Sequence, residues 1–204
     1  MGPPNDKDRI AIGFKAHSGW AAAVTISYAD GEYSVIDRRR IELTDRGEYW
    51  AKQPYHAAEE LDPVSARHTV NRGITSAHRV ARREVKKLFS HLTRLGGEVE
   101  AAAILVPSPM SDWNVDEILA VHPRMHKAEG VLFPDALCEA IDACGLTLVR
   151  IPEKQLAERA EEALNDSFVR IMEHVYKLGK SVGPPWGKDQ KFSTVAAMIT
   201  LVSA

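Results

Sequence analysis

The sequence predicts an α/β domain built on a mixed five-stranded sheet, with three antiparallel strands, then two strands reached by helical crossovers, and helices on the flanks. Three observations carry this. Apolar runs at 10–14, 20–28 and 33–43 follow one another across short turns, the second turn carrying the Asp-Gly signal of a tight hairpin. Two more apolar runs, at 101–107 and 146–151, alternate with helical patterns, which is how parallel strands are joined. Finally, 204 residues of which 45% are hydrophobic suffice for a sizeable core. The expected organisation is one domain at 9–204 behind a flexible lead-in at 1–8, where Pro3 and Pro4 oppose regular structure.

Taken in order, Ile10-Ala-Ile-Gly-Phe14 is the first strand, and Lys15-Ala-His-Ser-Gly19 turns the chain into Trp20–Tyr28. Ala29-Asp-Gly-Glu32 turns it again into Tyr33–Leu43. Residues 44–73 are polar and poorly periodic, a long connection of the kind that is functional or mobile. Within it, Pro54–Leu61 reads as a short helix with Pro54 in its first turn and Pro63 beyond its end. From Thr75 to Leu95, Ala77, Val80, Ala81, Val85, Leu88, Leu92 and Leu95 recur at helical spacing, and Gly96-Gly97 stop the helix. Ala101–Pro107, apolar throughout, reads as a buried central strand. Ser111 or Asp112 caps a helix to Val121; Pro123 starts another, which Pro134 kinks or divides before Gly145 ends it. Leu146–Ile151 is the fifth strand. Helices follow at 153–164 and 167–181, and a last one runs from 188 to 202 beyond Gly183-Pro-Pro-Trp-Gly187.

Composition bounds the function. The formal net charge is −2, and no stretch approaches the ~20 consecutive apolar residues of a membrane span. The first residues lack the apolar core of a signal peptide, so no membrane partner and a cytoplasmic setting are expected. Cys138 and Cys144 lie on one helical pattern, pointing about 240° apart, so they cannot bridge within it and read as core packing. The chain has neither a phosphate-binding Gly-rich loop nor a Gly-x-Ser-x-Gly elbow, and no cofactor is expected.

Two segments carry a resemblance. Ile12-Gly-Phe-Lys-Ala-His-Ser-Gly-Trp20 has the cadence of a first strand ending in a Gly-Ile-Asp-type turn and then Gly-Trp, and Lys188-Asp-Gln-Lys-Phe-Ser-Thr-Val-Ala-Ala197 is similar to a last helix that opens acidic and continues in alanines. With the order of elements over nearly the whole chain, they resemble the ribonuclease H-like superfamily, in its Holliday-junction-resolvase-like branch. Gly183-Pro-Pro-Trp before the last helix also resembles a bacterial family, a resemblance that implies no activity. Nucleases of this superfamily hold two magnesium ions between carboxylates. Here the first-strand acid position is Lys15, Leu105-Val-Pro-Ser-Pro109 brings no acid before Asp112, and Asp189 alone remains as a ligand. One carboxylate beside an ammonium group does not hold two hard divalent cations, so two-metal nuclease chemistry is not expected.

The resemblance gathers Lys15, His17, His56, Ser108, Asp189 and Lys191 at the carboxyl edge of the sheet, the usual ligand crevice of such folds. Lys15 and Lys191 favour an anion there, and His17 or His56 offers proton transfer near neutral pH; the bland reading is a Lys15–Asp189 pair. Between 67 and 94, eight Lys/Arg stand against Glu84 alone, and Arg79, Arg82, Arg83 and Lys86 fall opposite the apolar stripe, where they suit phosphates. Arg38-Arg-Arg40 reads as an exposed-edge device. His122 and His126, at i and i+4 with Glu129 following, are a weak metal motif, and the bland reading is a capping His122 and a His126 bonded to Glu129. The leading expectation is a binding or regulatory protein for a phosphate-bearing ligand or nucleic acid. A hydrolytic enzyme with a rebuilt His/Asp site comes second. A subunit of a larger assembly, with a vestigial pocket and the acidic 153–166 helix meeting a basic partner, comes third, and a homo-oligomer is open.

Overall fold

The computed structural model describes residues 9–95 and 98–203; the expected lead-in at 1–8 and the Gly96-Gly97 stop lie outside them. β1 (Arg9–His17), β2 (Trp20–Ala29) and β3 (Glu32–Glu42) form an antiparallel meander, and β4 (Val99–Val106) and β5 (Thr147–Pro152) add in parallel to β1. The sheet order is β3-β2-β1-β4-β5. The mixed sheet is therefore the expected one. β1 runs through the expected turn residues Lys15–His17, because Lys15, Ala16 and His17 still pair with Ala22, Ala21 and Trp20.

Alternation along the strands sorts the core into two layers. Ile12 and Phe14 of β1, with Ala102 and Ile104 of β4, face α2 (Pro63–Arg94) and α4 (His122–Asp142). Ala11 of β1, with Ala103 and Leu105 of β4, faces α5 (Leu156–Leu164), α6 (Phe168–Val182) and α7 (Lys188–Ser203). With both faces covered, the central strands are apolar throughout. Gly13 lies on the α7 side, and a Cβ there would stand 1.8 Å from the Ser193 carbonyl oxygen, so the helix rests directly on the strand backbone. Buried between sheet and outer helices, α7 satisfies its own hydroxyls: Thr194 and Thr200 donate to the carbonyls of Gln190 and Ala196.

The segment 44–73 departs most from expectation. α1 (Pro54–Ala58) is the short helix foreseen, but α2 begins at Pro63 rather than Thr75. Asp62 caps it, accepting from the Val64 and Ser65 amides at 3.1 and 3.2 Å, and Pro63 is its first residue. α1 lies against α2 at Gly73, where a Cβ would meet Pro54 Cβ at 2.4 Å. α3 (Val115–Leu119) is capped by Asn114, which exchanges hydrogen bonds with Glu117, rather than by Ser111 or Asp112. Pro134 sits inside α4 without dividing it, and its buried packing outweighs the lost backbone hydrogen bond.

Arg38 on the edge strand β3 donates to the carbonyls of Gly183 and Pro185, both at 2.6 Å, and so ties down the segment before α7. Trp186 closes that segment, donating to the Val175 carbonyl at 3.0 Å and packing on Gly179 of α6. Replacing Trp186 by Ala is expected to cost about 2 kcal/mol, below the ~3–5 of a fully buried Trp because the ring is only partly buried; a urea melt measures it. Cys138 is buried as expected, whereas Cys144 is exposed. No helix among the described residues is long and apolar enough to cross a membrane.

Candidate functional site

The carboxyl ends of β1, β4 and β5 meet the start of α7 at one edge of the sheet. Lys15 points to the α7 side and is 6% exposed. Its ammonium is ion-paired to Glu153, stands 4.0 Å from Asp189, and lies 5.5 Å from the centre of the Phe192 ring. His17 Nε2 is 3.1 Å from Asp189 Oδ1. The His17 ring stacks on Trp20 at 4.5 Å, and Arg40 lies 3.8 Å above that indole. Sequence reasoning missed Glu153; its one signal was being the first acid past the end of β5. Lys15 thus sits between two carboxylates, not one.

Of the other expected pocket residues, Ser108 lines the adjoining cleft and Lys191 and His56 do not. The Lys191 ammonium lies 5.5 Å from the Tyr176 ring of α6, and His56 belongs to a separate histidine cluster. The cleft has a volume of about 620 Å³, with a floor of Val106, Pro107, Pro152 and Phe192. Its rim carries Lys127, Lys154 and Lys188 with His126, against Glu153. Its lysines are thus three that sequence reasoning passed over, because they come from three separate elements, and the Lys127 ammonium also lies 5.9 Å from the Trp113 ring. A larger hollow of about 760 Å³ lies between Lys86, Phe89, Glu98 and Leu146, beside the start of β4 and away from this chemistry.

The histidine cluster forms where α1, seated on α2 at Gly73, shares an apolar cluster with Met125 and Ala128 of α4. Glu129, 4% exposed, accepts from the His56 amide at 3.1 Å, His56 Nδ1 at 2.7 Å and Gln53 at 3.3 Å. It therefore orients His56 and does not bond His126, correcting the expected Glu129–His126 contact. His126 Nε2 is instead 3.0 Å from His122 Nε2, and His122 Nδ1 is 3.2 Å from Glu59.

The expected basic face of α2 is largely self-neutralised. Arg79 and Arg83 both bond Asp45, Arg82 bonds Glu139, and Arg83 also bonds Glu84; Lys86 lines the larger hollow. The hydrogen bonds from Arg79 and Arg83 hold the Asp45 carboxyl below the usual carboxylate range. A lowered carboxylate stabilises the fold above the unfolded-state value and loses that contribution as the pH falls through its own. The expected result is that Asp45→Asn removes part of the acid-side fall in stability and leaves neutral-pH stability within about 0.5 kcal/mol, as for an exposed pair. Thermal melts from pH 3 to 7 check it.

No family model matches the chain, and no curated protein matches its sequence. Solved structures do match. A Thermus thermophilus RuvC structure is 10% identical with a TM-score of 0.50, covering 95% of this chain and 93% of that one. T. thermophilus RuvC in complex with Holliday junction substrate gives 10% and 0.48, with the same coverage. The yeast mitochondrial Holliday junction resolvase Ydc2 gives 9% and 0.46, covering 94% of this chain and 78% of that one. The fold is ribonuclease H-like, with the mixed sheet and flanking helices of RuvC.

Proposed function

We propose that the chain binds a phosphate-bearing ligand of mononucleotide size in the cleft between α4, α7 and the ends of β4 and β5, and that it is not a two-metal nuclease. The observation that carries this is a cleft lined by Lys127, Lys154 and Lys188 together with Val106, two prolines and Phe192, the Lys188 ammonium 5.1 Å from the Phe192 ring. Ammonium groups bind phosphate as point charges, while Phe192 and the two prolines offer a surface for a base or other flat group. A volume of about 620 Å³ suits a small ligand. Lys15 takes no part in binding: its charge is consumed by Glu153 and Asp189, and it occupies the space in which a divalent cation would need to stand between those carboxylates.

Calorimetric titration with mononucleotides and with inorganic phosphate tests the reading. Lys154→Ala and Lys188→Ala are each expected to weaken mononucleotide binding about tenfold, equivalent to ~1.4 kcal/mol. Unchanged affinity in the double variant would overturn the assignment. Incubation with branched DNA and Mg²⁺ is expected to give no cleavage; cleavage abolished by Asp189→Asn would refute the nuclease exclusion.

A second reading rests on the 3.1 Å approach of His17 Nε2 to Asp189, an ion-pair distance without hydrogen-bond geometry that a bound ligand would have to realign before the carboxylate could orient the imidazole for proton transfer. Hydrolysis of a phosphate monoester that disappears in His17→Ala, with binding retained, would favour this reading over binding alone.

A further inference from the structure

Three imidazoles from two helices converge on the α1 side of α4. His56, His122 and His126 each offer a ring nitrogen, and the three nitrogens lie within 4.8 Å of one another. The ring centres stand 4.6 to 5.1 Å apart, with interplanar angles from 54° to 90°. None of the three pairs is stacked: two are edge-to-face and the His56–His126 pair is tilted.

The protons are settled by the carboxylates behind them. A carboxylate only accepts, so the 2.7 Å contact to Glu129 places the His56 proton on Nδ1 and leaves Nε2 bare. The contact of His122 Nδ1 with Glu59 does the same for His122. Only one proton then remains for the 3.0 Å His122–His126 contact, supplied by His126 Nε2, which can move to Nδ1 of the same ring. An imidazole that ligates a metal through one nitrogen and donates to a carboxylate through the other is the usual second layer of a metal centre. Two of the three histidines have it here. Glu129 is fully engaged in this task, buried under three donors that include the backbone of the histidine it serves.

We propose that His56, His122 and His126 bind one transition-metal ion of the zinc class through their Nε2 atoms, with Glu129 and Glu59 as positioning residues. Zinc–imidazole bonds of ~2.0–2.1 Å at tetrahedral angles put ligand nitrogens ~3.3–3.4 Å apart. The His122–His126 separation of 3.0 Å is already close to that edge, and rotation of the exposed His122 and His126 side chains would bring the three nitrogens, which lie within 4.8 Å of one another, to that spacing. Nitrogen ligands select zinc, copper, nickel or cobalt over magnesium. The site is thus distinct in chemistry from the two-magnesium arrangement of the superfamily, and it is built on α1 and α4 rather than on the sheet edge. Three protein ligands leave a fourth position for water, the pattern of reactive rather than purely structural zinc. His126 also lines the neighbouring cleft.

Untagged protein, stripped with chelator and dialysed, is titrated with Zn²⁺ against a chromogenic competitor and with Co²⁺ by visible absorption. The expected result is one equivalent of Zn²⁺ bound, a tetrahedral Co²⁺ spectrum, and loss of both in His122→Ala and His126→Ala, whose side chains are exposed and whose metal-free melting points should match the parent. Glu129→Gln is expected to weaken zinc 10- to 100-fold, with Glu129→Asp recovering part of the loss. No stoichiometric binding, or binding undiminished in the His122→Ala/His126→Ala double variant, would overturn the proposal and leave a hydrogen-bonded histidine cluster.

Discussion

Lys15→Asp is expected to lower stability by about 3 kcal/mol, or roughly 6–12 °C in melting temperature for a chain of this size. The Lys15 side chain is 7% exposed, so its ammonium exists there only because Glu153 and Asp189 receive it. Replacing it with a third carboxylate removes the attraction and adds repulsion. The loss falls at the low end for a broken buried pair because Glu153 and Asp189, 41% and 25% exposed, are screened by water. Three carboxylates facing one point are ligands for a hard cation. Millimolar Mg²⁺ should therefore raise the melting point of the variant and leave the parent unmoved. Lys15→Met, which keeps the stem against Phe192 and loses only the charge, should cost about half as much. Melts of all three proteins with EDTA or Mg²⁺ decide it; a Lys15→Asp variant as stable as the parent would show that the ion pairs contribute nothing.

Gly13→Ala is expected to cost about 3 kcal/mol or more, at or beyond the upper end of ordinary overpacking. The added methyl would stand 1.8 Å from a backbone oxygen and 2.7 Å from the carbonyl carbon of Ser193. Neither can rotate away, so α7 itself must lift from the sheet. That displacement carries Lys188 and Phe192, which line the cleft, away from the sheet edge, so the variant should lose ligand affinity as well as stability. Gly130 is the contrast. It lies within α4 with nothing inside 4 Å of an added Cβ, and Ala there should stabilise by about 0.5–1 kcal/mol through helix propensity. Urea unfolding of the two variants measures both signs.

Much of the sheet was legible because its signals are local. The Asp-Gly turn, the apolar runs and the Gly183-Pro-Pro-Trp break each declare themselves within a few residues, and the strands lie where those marks put them. The start of α2 was equally local but overlooked: Asp62-Pro63 is a cap followed by a first-turn proline, masked by the polar face that follows. What no local pattern reveals is which distant side chains meet. Glu153 reaches Lys15 from 138 positions away, and Glu129 reaches His56 from 73. The arginines of α2 looked free in the sequence because Asp45 and Glu139, their partners, lie in a loop and on another helix. Charge counted along a chain overstates charge presented to a ligand whenever folding pairs it internally.

Gly13, Lys15 and His17 stand at every second position of one central strand, so their shared side of the sheet is a matter of parity. Gain or loss of a single residue ahead of them in β1 would carry all three through to the opposite layer, setting an ammonium among the phenylalanines and leucines beneath α4 and a bulky neighbour under α7. Length changes in this strand are thereby closed to the protein. Within that frame the charge of this edge can be varied only by exchanging side chains, not by shifting the strand.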